Sequence, residues 1–174
     1  GNVIDLGANP DFDLEAEMAS IRKGRLAIDH YASFRRSAEA ARSVLYLGDN
    51  AGETVFDRLL IEVLGRETVY AVRDIPIIND ATVEDAERSG VGEVARILSS
   101  GCDAPGTLLD RCSEAFLEVF EAADMIVSKG QGNFETLSDV KADIYFLFKA
   151  KCPVIAHHVG LPVGTHLATR WPRA

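Results

Sequence analysis

One stretch constrains the fold of this chain more than any other, the ten residues VLYLGDNAGE at positions 44–53. Its apolar half, which ends at Leu47, is typical of a strand buried on both faces of a parallel sheet. The sequence then turns polar at Asp49 and Asn50, and a helical pattern follows. Because open α/β sheets bind ligands beyond the carboxyl ends of their strands, we expect a functional site at this junction.

Further candidate strands and helices alternate along the chain. Strands are predicted at 67–72, 124–128, 144–148 and 153–156, with a short extended segment at 76–79. Helices are predicted at 53–64, 82–88 and 91–100, from Ser113, from Phe134, and once or twice between 13 and 41. The helix at 53–64 carries an apolar stripe from Val55 to Leu64. This alternation predicts a three-layer α/β/α fold with a mostly parallel, doubly wound sheet.

The composition limits what such a domain can bind. A formal net charge of −9 in 174 residues argues against a nucleic-acid partner, which would require a basic face, and favours a small molecule or a metal ion. No apolar run reaches the roughly 20 residues of a membrane helix, and the first residues do not resemble a signal peptide, so we expect no membrane partner and a cytoplasmic location. The three cysteines form no C-x-x-C pair, which indicates reduced thiols.

The length predicts a single α/β domain over 1–174, in which residues 1–42 form a loop and helical lead-in. The first residue is not Met, and the chain opens directly on an apparent motif at 1–7. We therefore expect that an upstream portion of the natural protein is absent from this sequence. The oligomeric state is left open.

Polar residues that suit a metal ion follow two of the predicted strands. Asp49 and Asn50 offer a carboxylate and an amide oxygen, and Asp80 adds a second carboxylate after residues 76–79. Such oxygens are hard ligands for a divalent cation. Taken singly, each of these residues could instead cap a helix or turn the chain.

A third junction has the composition of a phosphate site. Lys129 is followed by Gly130 and Asn133, so an ammonium group lies beside glycines that permit close backbone approach. A glycine-rich turn with a solvated lysine is the alternative. Since all three junctions follow predicted buried strands, we expect them to face one crevice.

Five ordered segments, spread over nearly the whole chain, resemble those of the damage-control phosphatase family, a metal-dependent group long catalogued as a domain of unknown function. The segments are GNVIDLG at 1–7, LGDNAGE at 47–53, RDIPIINDAT at 73–82, SKGQGNFE at 128–135 and KAKCPV at 149–154. The chain is most similar to the archaeal and bacterial branch of that family.

The resemblance implies a Rossmann-like domain, preceded in full-length members by a helical segment, that hydrolyses phosphomonoesters of small damaged or overflow metabolites with Mn²⁺, Co²⁺, Ni²⁺ or Mg²⁺. It implies that Asp49, Asn50 and Asp80 ligate the metal. By the same resemblance, Lys129 is the phosphate-binding cation, and further pocket residues are Gly130, Asn133, Asn2 and Asp5. Asp49 and Asn50 with Lys129 then form the catalytic set, and Asp49 is either a nucleophile, a base or a ligand.

Two other functions stay open. Residues 44–48 resemble the first motif of methyltransferases that use S-adenosylmethionine, although Asp49-Asn50-Ala51-Gly52 replaces the G-x-G of that class. A metal- or phosphate-binding module without turnover is the third possibility. The chain has neither a G-x-S-x-G elbow nor a P-loop, which argues against serine hydrolases and P-loop NTPases.

Overall fold

The computed structural model describes residues 26–171, which are built around one seven-stranded sheet. The strands are β1 (Ile28–Asp29), β2 (Ser43–Leu47), β3 (Glu67–Val72), β4 (Arg96–Ser99), β5 (Met125–Lys129), β6 (Ile144–Lys149) and β7 (His166–Trp171). The α-helices are α1 (Tyr31–Ala40), α2 (Thr54–Leu64), α3 (Val83–Arg88), α4 (Glu114–Ala122), α5 (Gln131–Leu137) and α6 (Pro153–Val159). Short 3₁₀ turns lie at Ala51–Glu53, Val91–Glu93 and Leu109–Arg111.

The strand order is β1-β7-β6-β5-β2-β3-β4, and among these pairs only β6 and β7 run antiparallel. After the edge strand β1, the chain enters the centre of the sheet at β2, moves outward through β3 and β4, and returns to the other side of β2 at β5. The winding therefore reverses between β2 and β5, which is where open α/β sheets form their ligand crevice. The predicted mostly parallel, doubly wound sheet is confirmed.

Alternate residues of the central strands point into two separate cores. Leu45 and Leu47 pack against α4 to α6, whereas Val44 and Tyr46 pack against α1 to α3. Because a strand presents successive side chains to opposite faces, the continuous apolar run of β2 supplies both cores at once. Helices thus cover both faces of the sheet, as the three-layer prediction requires.

Helix signals in the sequence agree with the structure at two starts. Thr82 forms a capping box with Asp85 at the beginning of α3, and Ser113 caps α4 by accepting from the Phe116 amide. Within residues 26–171, no helix is both long and apolar enough to cross a membrane.

Three of the predicted elements are wrong. The helix expected at 91–100 is a 3₁₀ turn followed by β4, and the strand expected at 153–156 is the start of α6. The extended segment expected at 76–79 instead leads into a turn that closes from Ile77 to Asp80. The helix expected within 13–41 is confirmed at Tyr31–Ala40, although Ile28 lies in β1, and residues 13–25 lie outside the described range. Short apolar runs fit a strand and a helix equally well, so tertiary pairing decides between them.

Much of the apolar stripe of α2 points away from the sheet, although Leu60 and Leu64 pack against the core. The buried face of this helix consists of Thr54, Asp57 and Ile61, while Val55 is 53% exposed and Val63 is 82% exposed. The helix is turned this way because the Asp57 carboxylate has partners beneath it in the protein interior. A buried charge requires such partners, and here they outweigh the burial of the apolar stripe.

Candidate active site

Two chain segments meet side by side at the carboxyl end of β2. The Ala81 amide donates to the Asp49 carbonyl at 2.7 Å, and the Ala51 amide donates to the Asn79 carbonyl at 2.8 Å. Together these bonds form an isolated antiparallel bridge between Asn50 and Asp80. Asp49, Asn50 and Asp80, which the sequence predicted as metal ligands, are therefore neighbours held by backbone hydrogen bonds.

The Asp49 carboxylate is buried with few donors around it. It is 8% exposed, and the side-chain hydrogen bond it accepts comes from Asn50 Nδ2 at 3.2 Å. Burial, followed by the negative charges of Glu53 and Asp80, raises the pKa of Asp49 from 3.8 to about 7. A carboxylate in this state gains from a nearby cation, because a positive charge would offset both effects.

The amide of Asn50 links Asp49 to a second carboxylate. Its Nδ2 donates to Glu53 Oε1 at 2.7 Å as well as to Asp49. Because the nitrogen is the donor in both bonds, the amide oxygen of Asn50 is the atom that a cation would contact.

A buried ion-pair cluster lies on the α2 side of the sheet. Lys129 Nζ donates to Asp57 Oδ1 at 2.7 Å and to Glu53 Oε2 at 2.8 Å. The hydroxyls of Tyr46 and Tyr70 donate to the same Asp57 carboxylate at 2.7 and 2.8 Å. Burial alone would lower the pKa of Lys129, but the charges of Asp57 and Glu53 raise it above its usual value. The ammonium is therefore fixed in its charged form.

Arg73, at the end of β3, connects three loops from the inside. It is 3% exposed, and its Nε donates to Asp80 Oδ2 at 2.7 Å. Its two terminal nitrogens donate to Thr107 Oγ1 at 3.1 Å and to Asn133 Oδ1 at 2.8 Å. The guanidinium fork thus orients one Asp80 oxygen and leaves the carboxylate at the edge of the crevice.

Asn133 is completely buried and braces the same loops. Its Oδ1 accepts from Arg73 and from Thr107, and its Nδ2 donates to the carbonyls of Gly48 and Lys129. All of these contacts are to protein, so the structure gives Asn133 a bracing role. Its predicted contact with phosphate stays a prediction.

A cleft of about 330 Å³ opens over the two aspartates. Residues from five segments of the described chain line it: Asp49, Asn50, Ile78, Asn79, Asp80, Pro105, Gly106, Gln131, Gly132, Glu135 and Lys151. The three predicted junctions do converge here, although the third contributes Gln131 and Gly132 and not the lysine. Lys151 is the cation of the cleft wall, and its charge acts to lower the pKa of Asp49.

Lys129 and Gly130 line a different space. Together with Glu53 they border a second cavity of about 330 Å³, whose wall is mainly apolar and includes Tyr31 and Phe34. The expectation that Lys129 faces the same crevice as Asp49 is therefore not met, because its side chain turns toward the carboxylates of α2. Its role as a phosphate-binding cation stays a prediction, as do the roles of Asn2 and Asp5, which lie outside the described residues.

Sequence reasoning missed Asp57, Thr107 and Lys151, and Glu53 and Arg73, which lie within two of the motifs, are also buried in the structure. No signal in the sequence indicated Asp57, because the inward face of α2, which carries Thr54, Asp57 and Ile61, is not its apolar stripe. Thr107 and Lys151 gave no signal either, because their contacts come from segments far apart in sequence.

The donors at the cleft fit a hard divalent cation with a partly open coordination shell. Two carboxylate residues and one amide residue line the cleft together, and Mg²⁺ in particular is usually held by one or two carboxylates together with water and substrate phosphates. Within residues 26–171 no group of three or more His, Cys, Asp or Glu side chains is arranged so that it could hold a metal ion.

Comparison with known proteins agrees with this architecture. A sequence model described as the damage-control phosphatase ARMT1-like domain matches residues 1–167. A Pyrococcus horikoshii protein named damage-control phosphatase is 42% identical over 98% of this chain and 61% of its own length. An Archaeoglobus fulgidus protein of the same name is 36% identical over 97% of this chain and 61% of its own length.

The fold has a solved counterpart. The crystal structure of a DUF89 family protein from Pyrococcus horikoshii superposes with a TM-score of 0.88 at 39% identity, over 98% of this chain and 62% of that chain. The chain thus spans about three fifths of the length of the relatives it matches.

Proposed function

We propose, from the premise that this chain belongs to the family of damage-control phosphatase ARMT1-like domains, that it carries the phosphatase centre of a metal-dependent phosphomonoester hydrolase. Its substrates would be small phosphorylated metabolites, damaged or in excess. The observation that carries the proposal is the convergence of Asp49, Asn50 and Asp80 at the floor of one cleft, at the point where the sheet reverses its winding.

The side chains of the cleft floor would hold the cation. Asp49 and Asp80 supply carboxylate oxygens and Asn50 supplies its amide oxygen. A divalent ion such as Mn²⁺, Co²⁺, Ni²⁺ or Mg²⁺, when bound, supplies Lewis-acid polarisation of a phosphoryl oxygen. Arg73 holds Asp80 in place through its 2.7 Å hydrogen bond, and the Asn50 amide links Glu53 and Asp49 by donating to both carboxylates.

Cationic groups would stabilise and orient the phosphate. Phosphoryl transfer depends mainly on positioning and on electrostatic stabilisation of the phosphoryl oxygens. Lys151 lies on the wall of the cleft and suits contact with a bound phosphate. Lys129 is fixed on the other side of Glu53 and holds that carboxylate in its ionised form, since the pKa of Glu53, which burial alone would raise, is lowered by the Lys129 charge.

The test is phosphate release from p-nitrophenyl phosphate by the complete natural protein, after removal of metals and re-addition of each divalent ion. We expect turnover that requires the added metal and that Asp49→Ala reduces at least about 100-fold. Glu114→Ala, at the start of α4 and away from the cleft, is the matched control. Turnover that persists in a chelator, or full activity of Asp49→Ala, would contradict the proposal. Metal binding without any turnover would favour a binding module.

A further inference from the structure

The turn before Asp80 contains a backbone conformation that its sequence does not favour. The Asp80 amide donates to the Ile77 carbonyl at 2.8 Å, which closes a four-residue turn. Ile78, at the second position, has φ of +51° and is the only non-glycine residue in 26–171 with a positive φ. Turns with positive φ at this position normally carry Gly, Asn or Asp, and a β-branched residue there is strained.

Neighbouring hydrogen bonds keep the turn in this conformation. The residues that follow Ile78 are fixed, since the Asn79 carbonyl accepts from the Ala51 amide and the Asp80 carboxylate accepts from Arg73. Strain of this kind persists only where the surroundings determine the conformation, and it is concentrated at functional sites. The geometry of the turn explains how Asp80 is aimed, but a glycine or an asparagine at position 78 would serve that purpose better.

The isoleucine side chain gains nothing from the fold itself. It is 89% exposed, so it contributes almost no burial that could offset the backbone strain. An exposed apolar side chain on a strained backbone is therefore best explained by a contact made with something that enters the site. The location of Ile78 indicates that this contact is made with a ligand of the cleft, because Ile78 lines the cleft beside Asp49, Asn50 and Asp80.

We propose that Ile78 is a specificity-determining residue that contacts the carbon framework of the substrate's leaving group. This inference rests on the proposed phosphatase function. The phosphate would lie at the polar floor formed by Asp49, Asn50 and Asp80, and Ile78 has no polar atom to offer it. An apolar side chain at the mouth instead favours phosphomonoesters whose alcohol presents a ring or chain of carbon atoms, and it contributes nothing to the binding of inorganic phosphate.

Two substitutions separate the side-chain contact from the backbone geometry. Ile78→Asn keeps a side chain of moderate size and tolerates the positive φ, but it removes the apolar contact. Ile78→Leu keeps the apolar character. The matched control is Val63→Asn, which changes another highly exposed apolar residue, in this case one on α2. All are made in the complete natural protein with the activating metal bound.

The measurements are KM and kcat for p-nitrophenyl phosphate, the inhibition constant of inorganic phosphate, and the thermal midpoint. For Ile78→Asn we expect KM to rise about 5-fold or more, with kcat and phosphate inhibition nearly unchanged. We expect the thermal midpoint to stay the same or to rise, because the turn is relieved of strain. Ile78→Leu retains the original KM, and Val63→Asn changes none of the kinetic values.

Two results would overturn the inference while leaving the proposed function intact. One is an unchanged KM in Ile78→Asn. The other is an equal weakening of p-nitrophenyl phosphate and inorganic phosphate, which would show that Ile78 acts only by placing Asp80. If Ile78→Asn does not fold, Ile78→Gly replaces it with the same expectations. Absence of metal-dependent turnover in the unmodified protein would instead refute the proposed function, and this inference with it.

Discussion

Gly130 lies against the Asp49 carboxylate so closely that a Cβ atom at position 130 would overlap its oxygens. Gly130 also has φ of +81°, a conformation that other residues rarely adopt. The first residue after β5 is thus required to be glycine for two reasons, one in the backbone and one in the site. The two reasons can be separated by experiment.

Gly130→Ala is expected to abolish metal-dependent activity and to weaken metal binding, because the new methyl group displaces Asp49. Gly160→Ala is the control for a positive φ, since Gly160 lies in the left-handed region with φ of +73° and has nothing within 4 Å of an added Cβ. Gly160→Ala should lose about 1 kcal/mol of stability from backbone strain, and Gly130→Ala should lose more, because its ψ of 158° places it in a region that is almost exclusive to glycine. Calorimetry with Mn²⁺ and denaturant unfolding measure the two effects. Equal metal affinity in both variants would contradict the role given to Gly130.

The raised pKa of Asp49 predicts a specific pH dependence of stability. In the metal-free folded protein the carboxyl holds its proton up to about pH 7, whereas in the unfolded chain it loses it near its usual pKa of about 3.9. Between these values the folded state binds more protons, so this residue makes the free energy of unfolding fall as pH rises.

Asp49→Asn removes that contribution. Compared with the unmodified protein in a chelator, the variant should become relatively more stable as pH rises from about 4 to about 8. With metal present the sign reverses for the unmodified protein, because the cation binds the deprotonated carboxylate and its affinity increases with pH. Urea unfolding at several pH values tests both statements. Parallel stability profiles in the chelator would show that Asp49 titrates normally.

The buried cluster around Lys129 predicts a large loss of stability when the ammonium is removed. Lys129→Met leaves Glu53 and Asp57 without their cation and should cost about 3–5 kcal/mol. Lys141→Met, at an exposed lysine, should cost less than about 0.5 kcal/mol. Adding Asp57→Asn to Lys129→Met should restore part of the loss, because one unpaired charge disappears. Strict additivity of the two substitutions in urea unfolding would argue against the pairing.

Arg73→Lys tests whether Asp80 depends on the guanidinium fork. A lysine keeps the charge but cannot reach Asp80, Thr107 and Asn133 together. We expect kcat to fall about 10-fold or more, with a loss of metal affinity, since Asp80 is no longer oriented. Arg111→Lys, in an exposed ion pair with Asp103, is the control and should leave both values unchanged. Unaltered metal affinity in Arg73→Lys would refute the orienting role.

Local signals were sufficient for the central part of the fold. Three patterns predicted structure that depends on residues nearby in sequence: the apolar run of β2, the capping box at Thr82 and the cap at Ser113. Pro153, read as part of a strand, is the first residue of α6, a position that proline favours. The proline is a helix-start signal that is visible in the sequence, but the short apolar run that follows it fits a strand equally well.

Only those site residues that follow the ends of strands were predictable from the sequence. Asp49, Asn50 and Asp80 follow β2 and the loop after β3, and parallel topology brings such residues to one edge. The direction of the Lys129 side chain was not predictable, because it depends on Asp57, 72 residues away in sequence. The orientation of the α2 stripe was not predictable for the same reason. Periodicity defines an apolar face but not the surface against which that face packs.

The cluster around Lys129 also affects the net charge of the groups buried at this edge of the sheet. In the described chain, four largely buried carboxyl groups (Asp49, Glu53, Asp57 and Asp80) face two buried cations, Lys129 and Arg73. Among these six groups alone, with every one ionised, two negative charges stay uncompensated, which is the charge that one divalent ion cancels. Under the proposed function, a monovalent ion would leave a residual negative charge among these buried groups, which repels a phosphate dianion, whereas a divalent ion would neutralise them. The buried lysine and arginine would therefore favour a divalent ion as much as the ligands themselves do.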